Sequence, residues 1–94
     1  MKEFNVYIMA SECNKFIYIG FTNNLSCRVR DHQSHRNKGY TEEYKVNKLV
    51  YYERYHYVNN AISREKQLKK WNRTWKNELI NKINPNWLDL AHEL

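Results

Sequence analysis

Five side chains in this 94-residue chain are of types that phosphate chemistry uses: Tyr7, Tyr18, Arg28, His32 and Glu65. A carboxylate can hold a divalent ion through oxygen, and a guanidinium can neutralise a phosphate through two parallel hydrogen bonds. A phenol or an imidazole can move a proton to or from water. Gathered in one pocket, such groups supply the parts of a phosphodiester hydrolysis in which one metal polarises the phosphate oxygens and eases departure of the alkoxide. Other site chemistries find less support. The chain has no HxxE or CxxC pattern to mark a zinc site and no glycine-rich phosphate cradle.

The elements that must bring these residues together can be read from hydrophobic period. "NVYIM" and "FIYIG" both alternate. As strands they turn Val6, Ile8, Ile17 and Ile19 to one side and Tyr7 and Tyr18 to the other. Ser11 to Lys15, between them, is polar, carries an Asn and has the length of a hairpin connection, which favours antiparallel pairing. "TNNLSCRVRDHQSH" predicts a helix from about Leu25 to about Ser34, capped by Asn23 or Asn24. "RNKGYTEEY", with Gly39 and mixed charge, predicts a basic surface loop.

"NKLVYYERY" is rich in Val and Tyr and predicts a third strand. "NNAISREKQLKKW" predicts an Asn-capped helix, and "NRTWKNELINKI" a second one, with Asn72 ahead of Trp75, Leu79 and Ile83 at helical spacing. Pro85 disfavours helical geometry at Asn84 and stops it. The order β-β-α-β-α-α describes an α+β fold, a small sheet covered by helices. With no repeat and no linker, residues 1–94 are expected to form a single domain.

Projection onto the helices singles out three of the five residues. Leu25 and Val29 should meet the sheet, yet Arg28 and His32 share the side of Leu25. In the next helix Ala61, Glu65 and Leu68 follow one face, which sets a carboxylate in an otherwise buried stripe. A lone buried carboxylate is costly unless something pairs with it. Two readings stay open at this point. Glu65 and Arg28 form a structural ion pair, or the helices turn to expose both; alternatively, all five residues converge on one polar pocket.

Composition bounds the partners. The formal charge is +6 and 15% of residues are aromatic, a mixture suited to a polyanion whose bases can stack. Lys38 and Lys45 in the loop, and Arg64, Lys69, Lys70, Arg73 and Lys76 on the two later helices, are the candidate nucleic-acid contacts. Trp71 and Trp75, amid the helical cations, are expected in the core. No zinc-finger or helix-turn-helix pattern is present, so low sequence selectivity is expected.

Two cysteines without metal spacing and no signal-peptide pattern point to a reducing, cytoplasmic setting. No apolar run approaches the ~20 residues of a membrane span, so no membrane partner is expected. No small organic cofactor is implied, and the chain is expected to be a monomer or a homodimer.

"NVY" and "YIG" with their tyrosines at positions 7 and 18, then "NLSCRVRDH", then Glu65 within "AISREKQLKKW", resemble the GIY-YIG nuclease superfamily. Within it the likeness is to small stand-alone bacterial members related to the N-terminal incision domain of the excinuclease C subunit. "KGYTEEY", "KLVYYE" and "INPNWLDL" extend the likeness over nearly the whole chain.

The resemblance implies a three-stranded antiparallel sheet with flanking helices and an endonuclease that hydrolyses DNA, with RNA as the alternative, using Mg²⁺ or Mn²⁺. It implies DNA repair or recombination as the setting. Tyr18 would be the general base or its relay, and Tyr7 would orient water or phosphate. Arg28 would stabilise the phosphorane-like charge, His32 would assist proton transfer, and Glu65 would be the sole protein ligand of the metal. Three positions depart from the pattern. Asn5 replaces a Gly or aromatic residue, Phe21 follows "YIG" where repair-type members carry Lys, and Leu88 stands where some relatives place an Asn. The loss of a Lys at position 21 implies weaker phosphate contact. A non-catalytic nucleic-acid-binding module of the same fold is the alternative reading.

Overall fold

Strand β1 (Phe4–Ser11) is the middle of a three-stranded antiparallel sheet ordered β2-β1-β3, with β2 (Ile17–Thr22) and β3 (Val46–Tyr55) at its edges. The protein is seen here as a computed structural model that describes residues 3–34 and 43–94. Helix α1 (Leu25–Gln33) joins the hairpin to β3, and α2 (Val58–Lys70) and α3 (Arg73–Ile83) follow. A short 3₁₀ turn (Leu90–Glu93), which hydrophobic period did not foretell, closes the chain. Lys38 and most of the predicted basic loop lie outside the described residues.

Because β1 is covered on both sides, its alternation sorts side chains into two cores. Val6, Ile8 and Ala10 join Ile19, Val50, Tyr51, Ala61, Leu68, Ile80 and Trp87 under α2 and α3. On the other face Tyr7 and Met9 meet Leu25 and Val29 of α1 together with Val46 and Leu49. Each fully buried side chain of this size contributes roughly 1.5–3 kcal/mol. The two tyrosines of the hairpin thus turn away from the aliphatic core, as their spacing requires.

The hairpin closes through Asn14, whose φ of 61° is the left-handed value that Asn tolerates. Its amide donates to the Ser11 carbonyl at 2.9 Å, and the Ser11 amide donates to the Phe16 carbonyl at 2.9 Å. Asn24 caps α1 by accepting from the Cys27 amide at 3.1 Å, and Asn72 caps α3 by accepting from the Trp75 amide at 2.8 Å. The Asn cap expected for α2 is corrected. That helix starts at Val58 with Tyr57 in the cap position and no side-chain cap, so Asn59 and Asn60 already lie in its first turn.

The ten residues of β3 pair with the eight of β1 only by bulging between Leu49 and Tyr51 and again between Val46 and Lys48. The C-terminal segment satisfies the backbone left over at the first bulge. The Asn84 side-chain amide donates to the Val50 carbonyl at 3.1 Å, and Asp89 Oδ1 accepts from the Leu49 amide at 3.2 Å. Asp89 Oδ2 also accepts from Gln33 Nε2 at 2.9 Å, which ties the end of α1 to the same place. Asn84 and Asp89 of "INPNWLDL" therefore serve the sheet's own backbone.

Candidate active site

Tyr7, Tyr18 and His32 form one aromatic cluster. The Tyr7 hydroxyl lies 3.2 Å from His32 Nε2, and the Tyr18 ring stands 5.5 Å from the His32 ring and 6.3 Å from that of Tyr7. Tyr7 is 2% exposed, and its place over β2 is made by Gly20, its register partner. A Cβ at position 20 would come within 2.5 Å of the Tyr7 hydroxyl oxygen and 3.0 Å of Tyr18 Cε2. Hydrogen is the only side chain that fits. Gly20 went unremarked as a functional position, although one of only 2 glycines in the chain inside a strand pattern signals a close approach.

Helix α1 delivers His32 and Arg28 to this cluster from the same side as Leu25 and Val29. His32 is buried, whereas Arg28 is exposed and its side chain makes no hydrogen bond or ion pair among the described residues. Its guanidinium is therefore available to an anion. Burial, with the neighbouring charge of Arg28, pushes the His32 imidazolium below the usual histidine range. The ring is neutral at pH 7. Its Nδ1 is buried without a hydrogen-bond partner among the described residues.

Burial also pushes the Tyr7 phenol above its usual range, with Tyr18 adding to the shift, Arg28 opposing it and Glu65 adding to it. Tyr7 is consequently a hydrogen-bond donor at neutral pH and no base. Glu65 comes from the opposite layer, and its charge is the smallest of the contributions to that shift. Its helix explains the approach: Ala61 and Leu68 are fully buried under the sheet and Glu65, between them, keeps 18% of its side chain exposed.

The ion pair of Glu65 among the described residues is with Lys69, one helical turn on, at 3.5 Å. Its carboxylate is thus partly shielded and lies beside one cation. No cluster of three or more His, Cys, Asp or Glu side chains is present among the described residues. That donor set fits a hard ion that keeps most of its water and takes one carboxylate plus substrate oxygens, as Mg²⁺ does. It does not fit an all-protein zinc cage.

The basic residues divide into engaged and available groups. Arg64 is spent on Glu53, with contacts of 3.0 Å from Nε to Oε1 and 3.0 Å from Nη2 to Oε2, and it lies over the Trp71 ring. Arg73 donates to the Lys15 carbonyl at 2.8 Å and to Asn77 Oδ1 at 2.8 Å, which pins α3 to the hairpin. Lys69 is exposed and paired with Glu65, Lys45 and Lys70 are exposed, and Lys76 is half-buried. Trp71 is partly buried, but the expectation that Trp75 is core is corrected: it is 53% exposed, edge-on to Trp71. Of the departures, Asn5 is buried and donates to the Glu53 carbonyl at 3.2 Å, and Phe21 stacks on Phe4 with centroids 6.4 Å apart.

A model of the GIY-YIG catalytic domain matches residues 3–82, which include Tyr7, Tyr18, Arg28, His32 and Glu65. The chain belongs to the GIY-YIG family. It is 37% identical over 76 residues to a UPF0213 protein of Clostridium perfringens, covering 81% of each chain. To a UPF0213 protein of Syntrophus aciditrophicus it is 36% identical over 81 residues, or 84% of this chain and 92% of the relative.

The solution NMR structure of a UPF0213 protein from Bacillus halodurans has the same fold, with a TM-score of 0.59 over 93% of this chain and 92% of that one at 22% identity. Membership of the GIY-YIG family is what the resemblance of the motifs implied. GIY-YIG domains belong to a nuclease superfamily that acts on nucleic acid with divalent metals. No helix among the described residues is long and apolar enough to cross a membrane.

Proposed function

We propose that this GIY-YIG protein is a divalent-metal-dependent endonuclease that hydrolyses phosphodiester bonds of DNA with low sequence specificity. The observation that carries the reading is the Tyr7–His32 contact at 3.2 Å, with the Tyr18 ring 5.5 Å from that of His32. The reading has four chain segments supply these residues to one phosphate. DNA repair or recombination in the cytoplasm is the setting we assign, in keeping with Cys13 and Cys27 exposed and unpaired.

Tyr7, held protonated by burial, donates and orients the attacking water or a phosphate oxygen. His32, neutral at pH 7, accepts the proton that the water loses as its oxygen bonds to phosphorus, either directly or through the Tyr18 hydroxyl, which hands on its own proton as it takes the water's. The P–O bond to the departing oxygen breaks on the far side. Arg28, exposed and without a partner among the described residues, neutralises the charge that builds on the phosphoryl oxygens. A Mg²⁺ or Mn²⁺ ion held by Glu65 would supply Lewis-acid stabilisation of that charge. Lys38, Lys45, Lys69 and Lys70 are assigned to the nucleic-acid backbone, whereas Arg64 and Arg73 support the scaffold.

The test is incubation of the purified protein with single-stranded, duplex and branched DNA and with RNA, with Mg²⁺ or Mn²⁺ and with EDTA. Metal-dependent products that disappear for Glu65→Ala are expected. A Glu65→Ala variant cutting at the parental rate would defeat the assignment. The non-catalytic alternative draws on Phe21, whose ring stacks on Phe4 where repair-type members carry Lys. It expects salt-sensitive binding and no products even with Mn²⁺ and excess protein.

A further inference from the structure

Beside the cluster, the outer edge of β2 borders a groove of about 340 Å³ lined by Ile17, Tyr18, Ile19, Lys69 and Lys76. Its position is informative because β2 is an edge strand and Tyr18 belongs both to the groove and to the His32 cluster. Lys69 makes a second link, since it lines the groove and pairs with Glu65 at 3.5 Å. The groove is thus continuous with the residues assigned to hydrolysis.

Lys76 is the independent observation. Its side chain is half-buried, yet its ammonium makes no hydrogen bond or ion pair among the described residues. A shielded cation without an anion is unfavourable, and here the nearby Arg73 makes it more so. Burial and then that like charge push the Lys76 ammonium below the usual lysine range. Arg73 cannot be displaced to relieve it, being fixed to the Asn77 side chain and the Lys15 carbonyl. An ammonium kept in such a place is poised for an anionic ligand.

We infer that this groove seats the nucleic-acid strand next to the phosphate being cut, with Lys76 gripping a flanking phosphate. Ile17 and Ile19 offer apolar walls to the sugars, and Lys69 marks the end of the groove joined to Glu65. The inference rests on the endonuclease reading for the identity of the ligand, but it makes a claim about binding that cleavage does not test.

The experiment is fluorescence anisotropy of a labelled 12-nucleotide single strand in EDTA, so that binding is read without turnover. Lys76→Met is expected to weaken binding by about 5–10-fold at ~0.1 M salt and to lower the slope of log K against log[salt] by about 0.7. Lys76→Arg should retain affinity within about twofold. The melting temperature of Lys76→Met should equal or exceed that of the parent, because a shielded, unpaired charge is removed.

Parental affinity and salt slope in Lys76→Met overturn the groove, as does an equal loss of affinity for polyglutamate of matched charge. Loss of affinity together with a lowered melting temperature also overturns it. Failure of the endonuclease reading would appear instead as absent cleavage with metal, leaving these binding results intact.

Discussion

The Tyr7 hydroxyl and His32 Nε2 meet at 3.2 Å inside the protein, one from the middle strand and the other from the helix laid across it. Neither group is charged at neutral pH, since burial raises the affinity of the phenol for its proton and lowers that of the imidazole. Two neutral groups, with the direction of their hydrogen bond set by the imidazole tautomer, form next to Arg28 a proton-handling pair that does not compete with phosphate for the guanidinium.

His32 gives the stability of the fold a pH signature. Its pKa is depressed in the folded state, so between that value and the unfolded value of about 6.5 the unfolded chain binds more protons. Stability therefore falls as pH drops below about 6.5 and stops falling, for this group, below the folded pKa. His32→Tyr removes the titration. Chemical denaturation of parent and variant at a series of pH values between about 5 and 7.5 should show a slope in the parent that is flatter in the variant. Equal slopes would mean that His32 is not shielded.

Gly20→Ala should be costly for a residue that carries no side chain. The new methyl would stand 2.5 Å from the Tyr7 hydroxyl oxygen and 2.6 Å from Cζ of the same ring. Tyr7 is 2% exposed and hemmed in on the far side, so strain is relieved only by moving the ring from His32. A loss of about 1–3 kcal/mol in unfolding free energy is expected, with any cleavage activity falling further than stability. Urea unfolding with a parallel nuclease assay checks both.

Lys69 holds its ammonium 3.5 Å from a Glu65 carboxylate oxygen, so a metal at Glu65 would share that carboxylate with it. Replacing it by Met removes a competing cation. Calorimetry of Mn²⁺ binding is expected to show affinity raised by about two- to fivefold in Lys69→Met and lost in Glu65→Gln. An affinity that Glu65→Gln leaves untouched would remove Glu65 from the metal site.

Glu53 organises the opposite end of β3. It accepts from Tyr51, from Tyr55 at 2.7 Å and from Arg64 at 3.0 Å. Burial works to raise its pKa, yet the hydrogen bonds from Arg64, Tyr51 and Tyr55 outweigh burial and hold it below the usual carboxylate range. The stability it contributes is present above the unfolded carboxylate value and is lost as pH falls below it, a window lower than that of His32. Glu53→Gln should destabilise by about 1–3 kcal/mol at pH 7, measured by denaturant unfolding, and leave metal binding unchanged.

Local pattern determined a good deal of this protein. The period of two in "NVYIM" and "FIYIG" separated tyrosines from aliphatics, and Asn24, Asn72 and Pro85 marked helix ends, because each acts within a few residues of itself. Helical projection was enough to place His32 beside Leu25 and Val29. The cap of α2 and the exposure of Trp75 escaped because packing at helix ends and faces overrides local preference.

The bulges of β3 and the service that Asn84 and Asp89 render to them join residues some 34 and 40 positions apart. Only the tertiary structure could decide which cations are engaged and which are open. Arg64 and Arg73 read like Lys69 and Lys76 in the sequence, but partners from distant segments settle their charge. A side chain's type fixes what chemistry it can do, and the field and access that let it do so come from neighbours brought together by folding.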